Sequence, residues 1–314
     1  MKHLALRRLS YSSLLTFHKC PRLFYLERHE LNKDIKSIHL SYGKAIGSGM
    51  QEVMKGSSLQ DAWFAAFLAW DIDIEEEEEK SKKSLWFALL MTTKFAEEIW
   101  PHMQRLGWEL YYHDEQATDE FSWKIHFFDD FHLVGFIDAI LINKRTNEIK
   151  VMEIKTTKYK SVDEALYANS WQGLGYSVIL DALGEQEDLF ASFEVLYEVV
   201  KSTDMSFESL PFKKDRGSKA IWLKDITNNI EQIQRYEEED YWPQHGEACW
   251  DYAAYRSCRF FGACHMSLKG LFLKDAEVFN KLAAAKVTKE TEAGTYKLEM
   301  ALNSIIENQL RGLT

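Results

Sequence analysis

This sequence predicts a mixed α/β fold with helical flanks. Three observations carry the prediction. Apolar residues recur at helical spacing through the first hundred positions; β-branched and aromatic segments alternate with turns from residue 109 to 157; and a helix-then-strand pattern follows before residue 201. At 314 residues the chain is long enough for one large domain or two modest ones. Read linearly, it divides into a helical region (1–108), a mixed core (109–200), a segment of basic loop, helix and cysteines (201–270) and a helical tail (271–314).

The first helix runs through LSYSSLLTFHKCPRLFYLER (9–28), with Ser10 or Ser12 as its cap and Pro21 as a dividing point. Helices follow through GKAIGSGMQEVM and LQDAWFAAFLAW, and from 83 to 105. From Glu109 the character changes. YYHDEQATDEFSWKIHFF, then FHLVGFIDAILI, the polar turn NKRTNE and IKVMEIKTT predict strand, strand, turn, strand. A helix over 162–183 and a strand over 191–200 complete the core. Beyond them the sequence predicts a basic loop, a helix over 220–239, the cysteine-bearing segment 249–264 and a helical tail rich in Ala, Lys and Glu.

Composition narrows the function. With four prolines and 46% hydrophobic residues, long disordered linkers are not expected. The longest apolar run, Ala62 to Trp70, is too short to cross a bilayer, and the first residues lack the apolar stretch of a secretory signal. A cytoplasmic protein with no membrane contact is therefore expected. A formal net charge of −11 argues against coating nucleic acid by bulk electrostatics. Much of the acid is concentrated in DIDIEEEEEK (71–80), whereas Lys158 and the KKDRGSK segment, with Lys213, Lys214, Arg216 and Lys219, are local cationic candidates for holding a polyanion. Each of these also fits a solvated face.

The chemistry-bearing pattern lies in two neighbouring segments. Asp138 interrupts the apolar strand VGFIDAILI, and an isolated charge there needs a cationic partner. Glu153 and Lys155 stand two residues apart in KVMEIKTTK, so strand periodicity directs both to one face and Ile154 toward the core. A turn centred near Arg145 and Thr146 would set Asp138 opposite Glu153, within reach of a shared cation. Two carboxylates suit magnesium, which takes few protein ligands and leaves positions for water and phosphate. Lys155 would orient or help deprotonate an attacking water and offset charge on a phosphodiester. A structural salt bridge between Lys155 and Asp138 fits the same residues equally well.

In this order and spacing, GFID, EIK and WQGLGY resemble the G-x-x-D, E-x-K and Q-x-x-x-Y motifs of the RecB-like PD-(D/E)XK nucleases. The resemblance extends from Cys20 to Cys264 and leaves out residues 265–314. It implies a restriction-endonuclease-like mixed-sheet core, with Asp138, Glu153 and the Ile154 carbonyl as ligands of Mg2+ or Mn2+ and Lys155 assisting the water. It also implies that Gln172 and Tyr176, which share one helical face, lie beside the metal and help place the DNA strand. Tyr176 equally fits a core aromatic. Many members carry a metal-binding histidine after G-x-x-x-H in an N-terminal helix, but here the matching stretch GKAIGSGMQ has Gly47 in that place. Gln51, one turn further on, is either a substitute ligand through its amide oxygen or a surface glutamine. Glu115 is either an added carboxylate or a solvated one.

Four cysteines in a cytosolic chain point to metal before disulfides. Cys249, Cys258 and Cys264 share one segment, and Cys20 lies far from it. Four thiolates suit a tetrahedral zinc site or a cubane cluster, and four buried free thiols are the remaining reading. One N-terminal and three C-terminal cysteines resemble the iron-sulfur, AddB-like branch of the same nucleases, which implies a 4Fe-4S cluster, with Zn2+ as the alternative. The Cys249–Cys258 interval is longer than is common in that branch. Such a tie would close a long loop around the core, where loop-closure entropy favours it.

The resemblance thus implies a metal-dependent deoxyribonuclease, an exonuclease acting on single-stranded or end-containing DNA in recombination, repair or replication. Many bacteriophages encode such enzymes, and the compartment would then be the host cytoplasm. A helicase or a recombinase is the partner to consider. Two rivals stand beside it: a catalytically silent DNA-binding or scaffold subunit that keeps the fold and cluster, and a zinc-stabilised interaction protein with structural carboxylates.

Overall fold

A computed structural model of the chain describes residues 4–29, 38–71, 83–251, 256–258, 260, 264 and 296–301. The chain forms two compact units, each discontinuous in sequence. One comprises Met1–Asp34, Trp123–Gly135 and Leu223–Ser304, and the other Ile35–Ser122, Phe136–Trp222 and Ile305–Thr314. The units do not follow a linear division of the sequence, because strands far apart in the chain pair with one another.

In the first unit, α1 (Leu4–Arg7) leads through β1 (Arg8–Leu9) to α2 (Tyr11–Lys19) and α3 (Pro21–His29). Ser10 caps α2 in a reciprocal box with Ser13, and the helix stops at Cys20, just before Pro21. β1 pairs in parallel with β6 (His132–Ile137), and β13 (Leu298–Ala301) with β5 (Phe121–His126), in the sheet order β1-β6-β5-β13. β13 lies in the stretch whose composition predicts helix. Its ladder to β5 offers the backbone partners that decide the matter, while residues 265–295 and 302–314 of that tail lie outside the described residues. Arg7 is buried, 2.6 Å from Glu237 and 4.2 Å above the Phe131 ring, and Trp242 packs on Tyr25 at 4.8 Å.

The second unit is built on a five-stranded mixed sheet in the order β10-β9-β8-β7-β2. Its strands are β2 (Trp108–Leu110), β7 (Ala139–Asn143), β8 (Glu148–Thr157), β9 (Phe190–Lys201) and β10 (Ser206–Lys213). β7 and β8 form an antiparallel hairpin, whereas β8 and β9 run parallel and so need a crossover. α9 (Trp171–Gln186) supplies it, after the short α8 (Glu164–Ala168). The one helix expected over 162–183 is two, because Ser170 leaves the helical conformation and caps Gly173.

α4 (Ile38–Met54), α5 (Leu59–Ala69) and α6 (Leu85–Lys94) share a core with the sheet in which Tyr42, Ile46, Met50, Ala66 and Met91 meet Leu141, Met152, Leu196 and Val200. α6 continues through a π-helical turn, Phe95–Ile99, into α7 (Trp100–Arg105). Pro101 has no N–H to give, and beside it the ladder slips so that Trp100 N–H reaches Phe95 O. Two further features differ from the sequence expectation. The strand predicted through 131–142 is interrupted at Asp138, and the stretch read as a basic loop contains β10, whose Pro211 is tolerated on a sheet edge. Among the described residues no helix is long and apolar enough to cross a membrane.

α9 packs tightly enough to demand glycine. A Cβ on Gly175 would stand 2.8 Å from Trp222 Cζ2 of α10 (Arg216–Glu238). Helix propensity alone favours Gly175→Ala, but overpacking opposes it with about 1–3 kcal/mol. The variant is expected to be less stable by about 1–2 kcal/mol in urea unfolding; a stabilised variant would refute this packing.

Candidate active site

The site sits where β8 passes the bend at Asp138. The β7–β8 register pairs Ala139 with Met152, so the residue before Ala139 meets the residue after Met152. The Asp138 and Glu153 carboxyls are thereby brought close enough for each to feel the other. Asp138 Oδ2 accepts the Ile154 N–H at 2.7 Å. Its own carbonyl accepts Gln51 Nε2 of α4 at 3.1 Å and the Glu120 N–H at 3.2 Å.

Glu153 is 2% exposed. Its Oε1 accepts from Lys155 Nζ at 2.5 Å, while its Oε2 is buried with no hydrogen-bond partner among the described residues. Burial first, then the charge of Asp138, pushes its carboxyl from the ordinary 4.5 up to about 8, against the pull of Lys155. Asp138 is also raised, mainly by lost hydration, with Lys155 and the Ile154 N–H opposing. Two carboxylates at this separation repel, so the pair either shares a proton or takes up a cation. The orphaned Glu153 oxygen beside a second carboxyl fits a hard divalent ion. Among the described residues no three His, Cys, Asp or Glu side chains are gathered to hold a metal, so water, backbone and substrate oxygens would complete the shell.

Lys155 is fixed from two sides. Beyond Glu153 it donates to Gln172 Oε1 at 2.9 Å; Gln172 Nε2 donates to Tyr176 Oη at 2.5 Å; and Tyr176 Oη donates to the Phe136 carbonyl at 2.6 Å. Desolvation works to lower the Lys155 ammonium, but Glu153 and then Asp138 outweigh it and hold the pKa above the usual lysine range. Lys155 is therefore a charged donor at neutral pH. Gln172 and Tyr176 share the helical face that their spacing predicts, with their polar atoms committed to this line.

A cleft of about 490 Å³ opens over the pair, lined by one face of α4 together with Glu120, Asp138, Ile154, Lys155 and Thr156. Gln51, a surface glutamine in one sequence reading, is 6% exposed and lines it. Glu120, Lys44 and Gly43 also line it and were not singled out by sequence. Glu120 carries no signal, since its left-handed backbone and its N–H to Asp138 are tertiary facts. Gly43 and Gly47 do leave a signal, because each mid-helix glycine costs roughly 0.5–1 kcal/mol relative to alanine.

Other candidates lie elsewhere. Glu115 is exposed at φ 64°, on the turn joining β3 (Tyr112–His113) to β4 (Gln116–Ala117), and does not line the cleft. Lys214 is 2% exposed and donates to the Tyr167 and Ala168 carbonyls at the end of α8. Lys219 is fully buried and lies 2.6 Å from Asp181. Both are committed within the fold, which removes them as free DNA contacts. Lys158, Lys213 and Arg216 are exposed.

In the first unit, Cys20 is buried at the end of α2, Cys249 ends the 3-10 helix Gly246–Cys249, and Cys258 and Cys264 come after it. All four are free thiols. Cys258 N–H bonds the Cys249 carbonyl at 2.8 Å across the hairpin of β11 (Trp250–Asp251) and β12 (Arg256–Ser257). Burial pushes the Cys264 thiol up; Arg22 opposes this, and Cys20, Cys249 and Cys258 each add to it, so the other three sulfurs lie within electrostatic reach of Cys264.

The model of the PD-(D/E)XK nuclease superfamily matches residues 8–265. Among solved structures, a candidate exonuclease from Eubacterium rectale is similar at 11% identity and a TM-score of 0.47, covering 86% of this chain and 94% of its own. The protein SSO0001 is similar at 11% identity and a TM-score of 0.26, covering 70% of this chain and 85% of its own. No curated protein matches the sequence.

The carboxyl pair makes stability depend on pH. Glu153 has a folded pKa above its unfolded one, so its contribution is complete below about 4.5 and lost as pH rises through about 8. Urea unfolding in EDTA is expected to show stability falling over that window by a few kcal/mol, with Glu153→Gln flatter and more stable at the alkaline end. A wild-type profile without slope would contradict the buried pair.

Proposed function

The chain belongs to the PD-(D/E)XK nuclease superfamily, and we propose that it is a divalent-metal-dependent deoxyribonuclease of the RecB-like, iron-sulfur branch. On this reading it is an exonuclease acting on single-stranded or end-containing DNA in recombination, repair or replication, where a helicase or recombinase would supply the ends. The observation that carries the reading is the Asp138–Glu153 pair, Glu153 buried with one carboxylate oxygen unpartnered among the described residues and the Lys155 ammonium fixed beside it.

Asp138, Glu153 and the Ile154 carbonyl would hold Mg2+ or Mn2+. When bound, the ion lowers the pKa of a water and polarises the phosphoryl oxygens. Lys155 would present its N–H donors to the phosphate and to the water, offsetting the charge that grows as the phosphorus–oxygen bond forms. Gln172 and Tyr176 would act through Lys155, holding its ammonium in line from the Phe136 carbonyl. One N-terminal and three C-terminal thiols, with Cys20, Cys249 and Cys258 all within electrostatic reach of Cys264, support a metal cluster in the first unit, a 4Fe-4S cluster with Zn2+ as the alternative. One observation favours a silent DNA-binding subunit instead: Gly47 stands where many relatives carry a metal-binding histidine.

End-labelled single- and double-stranded DNA, incubated with Mg2+ or Mn2+ under argon, tests the reading. Cleavage is expected from wild type and is expected to fall by about a hundredfold or more in Glu153→Ala and Lys155→Ala. A cluster-replete wild type that binds DNA without cutting it would leave the silent subunit as the answer. Visible absorbance of the anaerobically purified protein separates the metals: a brown protein with a broad band carries iron and sulfur, and a colourless one does not.

A further inference from the structure

Three glycines interrupt the middle of α4, and packing explains one. Thr92 of α6 stands where a Cβ on Gly49 would fall, its Oγ1 at 2.5 Å. Nothing lies within 4 Å of the same point on Gly47, and on Gly43 the nearest atom is Thr156 Oγ1 at 3.9 Å. Both residues line the cleft above Asp138. Alanine would fit at either position and would strengthen the helix, so the bare backbone serves something outside the chain that comes close to it.

A polar group lies on the same wall. Gln51 spends its Nε2 on the Asp138 carbonyl, and its side-chain oxygen, with no donor among the described residues, opens to the cleft from a side chain that is otherwise buried. Charge identifies the class of ligand. Lys44 follows Gly43, is exposed, and has no ion-pair partner among the described residues; Leu40, 57% exposed, stands beside it, and Lys155 lies at the carboxylate end. A cation on the bare helix face, an exposed apolar side chain one turn before it, and Lys155 with a carboxyl pair suited to a divalent ion in the same cleft together fit a phosphodiester chain. The volume, about 490 Å³, is that of a small-ligand cleft and too small for a duplex.

We propose that the Gly43–Gly47 face of α4 seats the sugar–phosphate backbone of a single DNA strand on its way to the Asp138–Glu153 pair. Identifying the strand as DNA rests on the nuclease reading above. Lys44 meets a phosphate, Leu40 meets a sugar or base edge, and the glycines allow the backbone to approach the helix more closely than any side chain would permit.

The test pairs stability with binding. Gly43→Ala, Gly47→Ala, Gly47→Leu and Lys44→Ala are compared with wild type by thermal melting and by fluorescence anisotropy of a labelled single-stranded oligonucleotide in Ca2+, with Mg2+-dependent cleavage run on the same preparations. The alanine variants at glycine are expected to melt about 2 °C higher. Gly47→Leu is expected to bind the oligonucleotide about tenfold more weakly or worse. Lys44→Ala should make the dependence of log affinity on log salt shallower by about 0.7. If Gly47→Leu fails to fold, the alanine variants and the salt slope decide alone. A wild type that cleaves, with glycine variants that bind and cleave as it does, overturns the strand seat and leaves the nuclease standing. A wild type that binds but never cleaves, with variants that lose binding, removes the nuclease and keeps the seat. Absence of oligonucleotide binding by wild type overturns the seat.

Discussion

Two carboxyl groups held too close to carry charge together are the constraint around which the second unit is organised. The hairpin register of β7 and β8 puts Asp138 beside Glu153, and burial removes the water that would otherwise separate their charges. The surrounding polar groups respond to that conflict. The Ile154 N–H is turned onto Asp138, Lys155 onto Glu153, and Gln172 and Tyr176 carry the line to the Phe136 carbonyl. Along this line the Glu153 Oε2 is left buried without a partner among the described residues, an acceptor that a cation would satisfy.

The helices around the sheet use glycine in two different ways. On α9, Gly175 lets Trp222 come close, and on α4, Gly49 does the same for Thr92; in both cases the missing side chain is repaid by packing. Gly43 and Gly47 have no such neighbour and face the cleft. Helix stability would be greater without them, a local conflict of the kind that concentrates at functional sites.

Cationic residues divide just as sharply. Lys214 and Lys219 stand beside Arg216 in a segment that reads as a basic patch, yet both are buried, one closing the end of α8 and the other paired with Asp181. Arg7 near the N-terminus is likewise held by Glu237 and Phe131. Of the cations that line the cleft, Lys44 has no basic neighbour in the sequence, whereas Lys155 stands in a segment with Lys158 and Lys160. For a chain with net charge −11, local placement of a few such groups is what gives a polyanion somewhere to bind.

Much of this was legible in the sequence. Alternation fixes which strand residues share a face, so Glu153 and Lys155 could be put together and Asp138 set opposite once the turn at 144–147 was recognised; the four-residue spacing of Gln172 and Tyr176 gave their common face in the same way. Local periodicity is written in neighbouring residues, which is why the helices of the first hundred positions and most of the core strands could be anticipated. Long-range pairing is not written there. That β13 is a strand, that β10 joins β9, that Glu120 reaches the Asp138 carbonyl and that Lys214 is buried all depend on partners tens to hundreds of residues away. The sequence by itself determined the family, the mixed α/β class and the carboxylate–lysine motif. Tertiary structure alone decided which polar groups are desolvated and which oxygen is left unpaired, because desolvation is a property of everything that surrounds a group and not of its place in the chain.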